Sequence, residues 1–454
     1  MPVLKFRIWH ETGIILGSFL YDRLKLMILD CAGVPTHLSY CTNVHTGDAW
    51  CDVLPELERQ LPQVRSAMGY LQPMGIGLRL SSSSAKSLQE PDTLAAFSHW
   101  LERNDYYVYT LNGFPYGTFH GERVKEDVYK PDWTEPERLE YTCALADILC
   151  KLDPPDNYGS ISTLPGTYKD WMMPGTEQRI SENMVKAVAH CVRLHQTTGV
   201  TIALAVEPEP CCMLETIGET ITFFKEQLFS QNAIDALAQQ TGLDGSAAKG
   251  AMHRHVGVCY DVCHSAVEFE NPAHAIAKLR SAGIQIIKIQ LSSALEISNV
   301  NEASLRQLSR YDEPVYLHQV VEKRGDTITR YNDISAATVA LRYRMEQRSV
   351  LDPNLQIAIN QNTMSSLQPT LNPVLEDEAC WRVHFHVPVY MEHTEHFTTT
   401  QSSLKQVLQL QQMSGFCRHL EVETYTWNVL PEACRQQSVS EAIAGELSWV
   451  RDRL

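Results

Sequence analysis

Short apolar runs alternate with longer segments of helical period along most of the chain, beginning after residue 36. Each apolar run ends in a polar cluster before the helical segment starts. This alternation predicts βα units arranged around a parallel sheet. Nine runs qualify as strands, and they cover residues 37–44, 75–80, 106–111, 158–164, 201–206, 256–260, 284–291, 381–389 and 419–425.

Eight strands close the commonest parallel barrel, so one of the nine runs belongs to an insertion. The weakest spacing lies between residues 295 and 381, where two β-branched runs flank the turn sequence Lys323-Arg324-Gly325-Asp326 and predict a hairpin. We therefore predict an α/β protein with a single (β/α)8 TIM barrel over residues 37–454. Residues 296–380 are predicted to be an insertion after the seventh strand, and residues 1–36 an N-terminal extension.

The composition is that of an ordinary globular protein. Of the 454 residues, 44% are hydrophobic and 20% are charged, which is enough apolar mass for a buried core. A net charge of -16 opposes binding to nucleic-acid phosphates and to anionic membrane surfaces. The 13 cysteines, an odd number often placed inside apolar runs, are typical of reduced buried thiols. We expect a cytoplasmic protein with no nucleic-acid partner and no membrane span.

Acidic and imidazole side chains stand in pairs at the ends of four predicted strands, and in every pair except that of Asp261 the two positions share a face at period two. They are Glu207 with Glu209, Asp261 with His264, His384 with His386, and Glu421 with Glu423. In a parallel barrel the strand ends converge at one mouth. Several acids in one low-dielectric mouth repel one another unless a cation neutralises them, so the pattern predicts a divalent metal. Mixed Glu, Asp and His ligation suits Mn²⁺, Mg²⁺, Co²⁺ or Zn²⁺ alike.

Each of these residues also has a purely structural interpretation. A glutamate at a strand end often caps a helix or is solvated in a loop, and Asp261 could cap a helix that begins near His264. His384 and His386 could be two hydrogen-bonded histidines on one pleat face. Independent accidents would seldom place all of them at successive strand ends, and this joint placement favours the metal site.

Other polar residues are predicted at the same mouth. Asn43 and His45 follow the first strand, Arg79 lies in the second, and Asn112 follows the third. Amides, a guanidinium and an imidazole supply the hydrogen bonds that a polyol or sugar needs. These four side chains are therefore predicted to bind substrate.

Three motifs resemble the xylose-isomerase-like and endonuclease-IV-like TIM-barrel superfamily. They are Val258-Cys-Tyr-Asp261-Val-Cys-His264, Glu207 after an apolar strand, and Glu423-Thr at the end of the last strand. The resemblance implies metal ligation by Glu207, Asp261, His264 and Glu423. Short sequence motifs spread over the chain from Leu38 are similar to one branch of this superfamily, the bacterial metabolite traffic proteins of the EboE type. These motifs include Ser39-Tyr-Cys-Thr-Asn43, Gly77-Leu-Arg-Leu-Ser81, Lys288-Ile-Gln-Leu-Ser-Ser-Ala294 and Glu423-Thr-Tyr-Thr-Trp427.

One position departs from the superfamily pattern. Where its members usually carry a histidine on the seventh strand, this chain has Gln290. A glutamine carbonyl is a weaker, neutral ligand, so either the metal is held less tightly or His384 or His386 replaces the imidazole. We predict His386 as the ligand and place Gln290 and His384 beside the substrate. His318 is predicted there too, at the position where nuclease members carry a further histidine.

The leading functional hypothesis is a metal-dependent isomerase or epimerase of a small sugar, sugar phosphate or cyclitol in a metabolite pathway. Glu207 and Glu423 would transfer the proton through a metal-stabilised enediolate. A phosphoester hydrolase of the endonuclease-IV-like type is the first alternative. A non-catalytic metabolite-binding protein is the second, because Gln290 leaves room for lost catalysis. In each case the expected partner is a small polyhydroxylated metabolite.

Overall fold

The computed structural model describes residues 27–121, 123–351 and 379–454. Residues 1–26 of the predicted extension and residues 352–378 of the predicted insertion lie outside the described residues. The described part of the extension carries strand β1 (Ile28–Cys31), which pairs antiparallel with β2 (Val34–Tyr40). The first barrel strand, β2, therefore begins at Val34, whereas the sequence pattern predicts a start at residue 37.

Eight parallel strands form a closed barrel, which confirms the predicted fold class. They are β2, β3 (Met74–Arg79), β4 (Tyr106–Asn112), β5 (Tyr158–Thr163), β6 (Thr201–Val206), β7 (Val256–Asp261), β8 (Ile286–Leu291) and β14 (His419–Val422). The sheet order runs from β2 through β14, β8, β7, β6, β5 and β4 to β3. A parallel bridge between Cys41 and Gly77 joins the two ends and closes the cylinder.

Helices follow the strands around the outside of the barrel. Their bounds are Trp50–Ala67, Ser82–Leu88, Pro91–Arg103, Pro136–Lys151, Thr176–Thr198, Ile217–Phe223, Gln231–Thr241, Gly245–His255, Val262–Val267, Pro272–Ser281, Glu302–Leu308, Ile334–Leu351, Gln401–Ser414 and Val439–Arg451. No helix within the described ranges is both long enough and apolar enough to cross a membrane.

The helix Thr176–Thr198 illustrates how the sequence makes these units. It buries Ile180, Met184 and Val188 at helical spacing, and it ends at Gly199, whose φ of 79° suits the left-handed conformation that terminates helices. Strand β6 follows directly and is almost wholly buried, as expected for a parallel strand covered on both faces.

A second, antiparallel sheet is built from the residues between β8 and the helix Gln401–Ser414. Its order is β11 (Thr327–Tyr331), β10 (Val320–Arg324), β12 (Cys380–Val383), β9 (Leu295–Ile297) and β13 (Thr398–Thr399). The predicted strand 381–389 contributes only its first residues to this sheet. Beyond Val383 the backbone leaves the ladder and brings His384 and His386 to the barrel mouth, where His384 N donates to Gln319 O at 2.8 Å.

Candidate metal centre

Three carboxylates from different barrel strands meet at the mouth. Glu207 follows β6, Asp261 ends β7 and Glu423 follows β14. One oxygen from each lies within 4.8 Å of the others, and the side chains are almost fully buried. The structure therefore brings together acids that are 54 to 216 residues apart in the chain.

The electrostatics of this group are unfavourable without a cation. Burial raises the pKa of Glu207 well above its usual range, and the charges of Glu423 and Asp261 raise it further. Burial and the nearby Asp261 likewise raise the pKa of Glu423. Among the described residues, Glu207 Oε2 and Asp261 Oδ2 have no hydrogen-bond partner although both are buried. A divalent cation would supply the missing partner for both oxygens.

Asp261 has both of the roles that its sequence position suggests. Its Oδ1 accepts from His264 N at 3.0 Å, which caps the helix Val262–Val267, and from Ser292 Oγ at 2.7 Å. Its Oδ2 points to the carboxylate group and stays without a donor in the described structure. Helix capping and metal ligation are thus compatible, because they use different oxygens.

Three histidines, His264, His384 and His386, each turn ring atom Nε2 toward the same region. His264 Nδ1 lies 3.0 Å from Pro208 O, and His386 Nδ1 lies 2.9 Å from Glu423 O. A backbone carbonyl can only accept, so each Nδ1 carries a proton, and in the neutral ring Nε2 then has a free lone pair. His386 Nε2 is buried, has no partner in the part of the chain that is described, and lies 3.9 Å from Asp261 Oδ2.

His384 completes the set of histidines. Its Nδ1 lies 2.7 Å from Gln319 Oε1, and its Nε2 lies only 3.1 Å from His264 Nε2. Carboxylate oxygens and imidazole nitrogens thus face the centre among the described residues, and the thiol of Cys263 lies beside His384 and His386. This donor set fits a divalent metal held by Glu207, Asp261, Glu423 and His386, with His264 at its edge.

A second group of possible ligands adjoins the first and shares His264 with it. Glu209, His264 and His384 each offer one atom, and these atoms lie within 4.8 Å of one another. Burial raises the pKa of Glu209, although Tyr129 OH donates to its Oε1 at 2.8 Å. Two neighbouring cation positions are geometrically possible at this mouth.

A buried ion pair lies on the strands that carry these ligands. Lys288 Nζ lies 2.6 Å from Glu421 Oε2, and both side chains have 0% exposure. Glu421 is two residues before Glu423 on the same face of β14. Its carboxylate is therefore matched by an ammonium, which fits the structural interpretation of this strand-end glutamate.

A cavity opens above the carboxylates. Its polar lining includes Asn43, Asn112, Glu207, Glu209, His384 and Glu423. Asn43 Nδ2 and Asn112 Nδ2 donate to Glu423 Oε1 at 2.7 and 2.9 Å. The apolar lining includes Phe114, Phe119, Val124, Tyr316, Leu317 and Tyr425. Of the residues predicted to bind substrate, the structure places Asn43, Asn112 and His384 at this cavity.

The other four predicted substrate residues are not among the described residues that line the cavity. His45 Nε2 pairs with Tyr40 OH at 2.8 Å. Arg79 binds Asp48 at 2.6 Å. The Oε1 of Gln290 lies 3.2 Å from Cys259 Sγ inside the barrel.

His318 belongs to the same group of four. Its two ring nitrogens lie 3.0 Å from His384 O and 3.0 Å from Glu313 Oε1. Both nitrogens are therefore engaged away from the carboxylates.

Sequence reasoning did not single out Gln319, Tyr129 or Ser292. Ser292 donates to Asp261, and both Tyr129 and Gln319 donate to Glu209. Gln319 lies in the run 315–322 that predicts the first strand of the insertion hairpin, and Tyr129 lies outside the predicted strands, so their proximity to the ligands follows only from the folded chain.

The chain was compared with known proteins. No protein-family model matches it, and no curated protein does. Among solved structures, it is similar to a xylose isomerase-like TIM-barrel protein from Mycobacterium smegmatis in complex with magnesium, with 9% identity, 92% of this chain and 96% of that chain covered, and a TM-score of 0.46. It is also similar to the IolI protein with a bound zinc atom, with 12% identity, coverage of 91% and 96%, and a TM-score of 0.39.

A further likeness is to a sugar phosphate isomerase/epimerase of unproven activity from Anabaena variabilis, with 13% identity, coverage of 56% and 74%, and a TM-score of 0.35. At such low identities and TM-scores, these proteins are only similar to this chain. The barrel assignment rests on the strand order and closure of this chain.

Proposed function

We propose that this protein is a divalent-metal-dependent isomerase or epimerase acting on a small polyhydroxylated compound. The supporting observation is a buried group of Glu207, Asp261 and Glu423 within 4.8 Å, placed under a cavity that two of them line. The metal, when bound, would supply positive charge that polarises a substrate carbonyl and hydroxyl.

Glu207 and Glu423 are suited to move a proton at the substrate. Both line the cavity, and burial raises the pKa of both carboxyls. A pKa closer to neutrality favours general acid and base catalysis, which typically contributes 10²- to 10⁴-fold to a rate. Asn43 and Asn112 hold Glu423 through Oε1, whereas Glu207 Oε2 has no partner among the described residues. Glu207 is accordingly the carboxylate held by fewer side-chain donors and the proposed base.

The lining of the cavity favours an uncharged polyol over its phosphate ester. Lys125 is the one ammonium or guanidinium among the described lining residues, and its Nζ already lies 2.6 Å from Asp333 Oδ2. Aromatic rings such as Phe119 and Tyr316 offer faces for the C–H groups of a sugar or cyclitol. The branch-level resemblance to metabolite traffic proteins of the EboE type rests on short sequence motifs alone and names no substrate.

Solvent exchange tests the proposal. Protein loaded with Mn²⁺ or Co²⁺ is incubated in D₂O with a panel of free ketoses and inosose-type cyclitols, and deuterium at the carbon next to the carbonyl is followed by NMR. We expect exchange with the native protein and its loss in Glu207→Gln and Glu423→Gln. Glu322→Gln is the matched control, because Glu322 is a buried glutamate bound to Arg344 and Trp381 away from the cavity.

Full exchange in either site variant would remove this mechanism. Metal binding without exchange of any compound in the panel would instead favour a metabolite-binding protein, since a barrel can keep its binding cavity after losing catalysis.

A metal-dependent phosphoester hydrolase is the second candidate. The observation that favours it is the adjoining group of Glu209, His264 and His384, since neighbouring cations can clamp the attacking and leaving oxygens of a phosphoester. Metal analysis and a cleavage assay separate the two functions. A hydrolase should retain two or more zinc ions per chain and cleave bis-p-nitrophenyl phosphate. An isomerase needs no second zinc ion and should not cleave this ester.

A further inference from the structure

Gln319 connects the second sheet to the barrel through a single buried amide. It precedes strand β10, and its side chain has 0% exposure. Its Nε2 lies 2.8 Å from Tyr129 OH, 3.2 Å from Pro210 O and 3.3 Å from Glu209 Oε1. Its Oε1 lies 2.7 Å from His384 Nδ1. All of the polar atoms of this amide are therefore used.

These partners determine the orientation of the amide. Pro210 O is a carbonyl and can only accept, and Glu209 Oε1 is also an acceptor when ionised. A flipped amide would place Oε1 against both of them, which is repulsive, so Nε2 must face that side. Oε1 consequently faces His384 Nδ1, and Nδ1 must carry the proton.

The proton position on His384 has a consequence at the metal centre. With Nδ1 protonated, the neutral ring leaves Nε2 as a lone pair. The neutral ring of His264 likewise has its lone pair on Nε2, because its Nδ1 donates to Pro208 O. The two lone pairs lie 3.1 Å apart, which is unfavourable unless a cation or a donor such as Tyr425 OH, 3.5 Å from His384 Nε2, relieves the repulsion.

We propose that Gln319 is a positioning residue that holds His384 in the Nδ1–H tautomer and thereby presents Nε2 as a ligand to the metal centre. The inference rests on the metal centre of the proposed function but on no particular reaction. Without the Gln319 acceptor, the proton moves to Nε2, where it can be donated to His264 Nε2 at 3.1 Å. The alternative acceptor for Nδ1 is Glu209 Oε1, which is farther away at 3.5 Å and already accepts from Tyr129.

The tautomer is measured directly on the metal-free full-length protein by ¹⁵N NMR of labelled histidine side chains. The His384 signals are assigned from their loss in His384→Gln. We expect an unprotonated Nε2 in the native protein and a protonated Nε2 in Gln319→Met, whose flexible side chain is similar in size to glutamine. Gln319→Glu keeps an acceptor for Nδ1 when its carboxyl carries a proton on the oxygen that faces Pro210 O and Glu209 Oε1, and it should retain the native tautomer.

Gln411→Met is the matched control. Gln411 is equally buried and donates to Cys417 O at 2.7 Å, but it contacts none of these histidines. It should leave the His384 signals unchanged. Co²⁺ titration, followed by absorption, should show about a 10- to 100-fold loss of affinity in Gln319→Met and none in the control.

A native Nδ1–H signal in Gln319→Met would overturn the proposal. If that variant does not fold, Gln319→Glu decides, because a protonated Nε2 in it would contradict the role of the acceptor and a retained Nδ1–H would support it. The outcome is separable from the proposed function, since the tautomer is read without metal or substrate. A tautomer change in a protein that exchanges no substrate proton would leave this inference standing and the isomerase unsupported.

Discussion

Gly77 has no side chain, and the carboxylate of Glu421 occupies the space where a Cβ atom of residue 77 would lie. A Cβ atom built on Gly77 would overlap Glu421 Oε1 and would also come within 2.8 Å of Tyr40 O. The glycine therefore does more than permit a strand: it leaves room for a buried acid on β14 that pairs with Lys288 on the neighbouring strand β8. Because Glu421 precedes Glu423 by two residues, a displaced Glu421 would disturb a predicted metal ligand as well.

Gly77→Ala should therefore destabilise the protein and weaken metal binding. Overpacking of a buried site typically costs about 1–3 kcal/mol, and here the clash meets strand backbone as well as a side chain. Urea unfolding measures the loss. Gly250→Ala is the control, because Gly250 lies in the helix Gly245–His255 with open space around it, and alanine there should stabilise by up to about 1 kcal/mol. Equal stability changes in the two variants would contradict the packing argument.

Lys288→Met should leave Glu421 as an uncompensated buried charge. Removing one partner of a buried ion pair typically costs about 3–5 kcal/mol. The double variant Lys288→Met/Glu421→Gln should lose clearly less than the sum of the two single variants, because no charge is left unpaired. A double-mutant cycle by chemical denaturation measures the coupling. Additive losses would show that the two side chains do not interact.

The raised pKa of the buried Glu446 carboxyl predicts how the free energy of unfolding depends on pH. Burial raises its pKa from 4.5 to about 7, although Thr424 Oγ1 and Val389 N both donate to its Oε1. Between these two values the folded state binds more protons than the unfolded state, so the free energy of unfolding falls as the pH rises from 4.5 to about 7. The contribution lost is on the order of 3 kcal/mol.

Glu446→Gln should remove that contribution and flatten the profile of unfolding free energy in this window. The comparison uses urea unfolding at several pH values, with the exposed Glu58→Gln as a surface control. A Glu446→Gln profile parallel to that of the native protein would show that the carboxyl titrates alike in both states.

Metal affinity should rise with pH. The pKa values of Glu207 and Glu423 are raised by burial and by the neighbouring carboxylates, so protons compete with the cation for their oxygens. Calorimetric titration with Mn²⁺ in two buffers of different ionisation enthalpy measures the number of protons released. Glu207→Gln should release fewer protons and bind more weakly. Binding that is independent of pH would argue against these carboxylates as ligands.

The predicted barrel strands agree closely with the observed ones because period and strand-end chemistry are local signals. The run 201–206 coincides with β6, and Asp261 closes β7 as its position suggests. The disagreement occurs at 381–389, where alternating hydrophobicity predicts a longer strand. There the hydrogen bond from His384 N to Gln319 O continues the pairing of Val383 with Val320 by one residue, and beyond it the chain turns toward the mouth.

By itself, the sequence determined the closed parallel barrel and the acids at its strand ends, because alternating apolar runs and helical segments can bury their surfaces in few other ways. Only the tertiary structure decided that Lys288 neutralises Glu421, that His45, Arg79, Gln290 and His318 are engaged away from the cavity, and that Gln319 orients His384. These relationships depend on distances between residues far apart in the chain, and such distances are set by packing and not by local pattern.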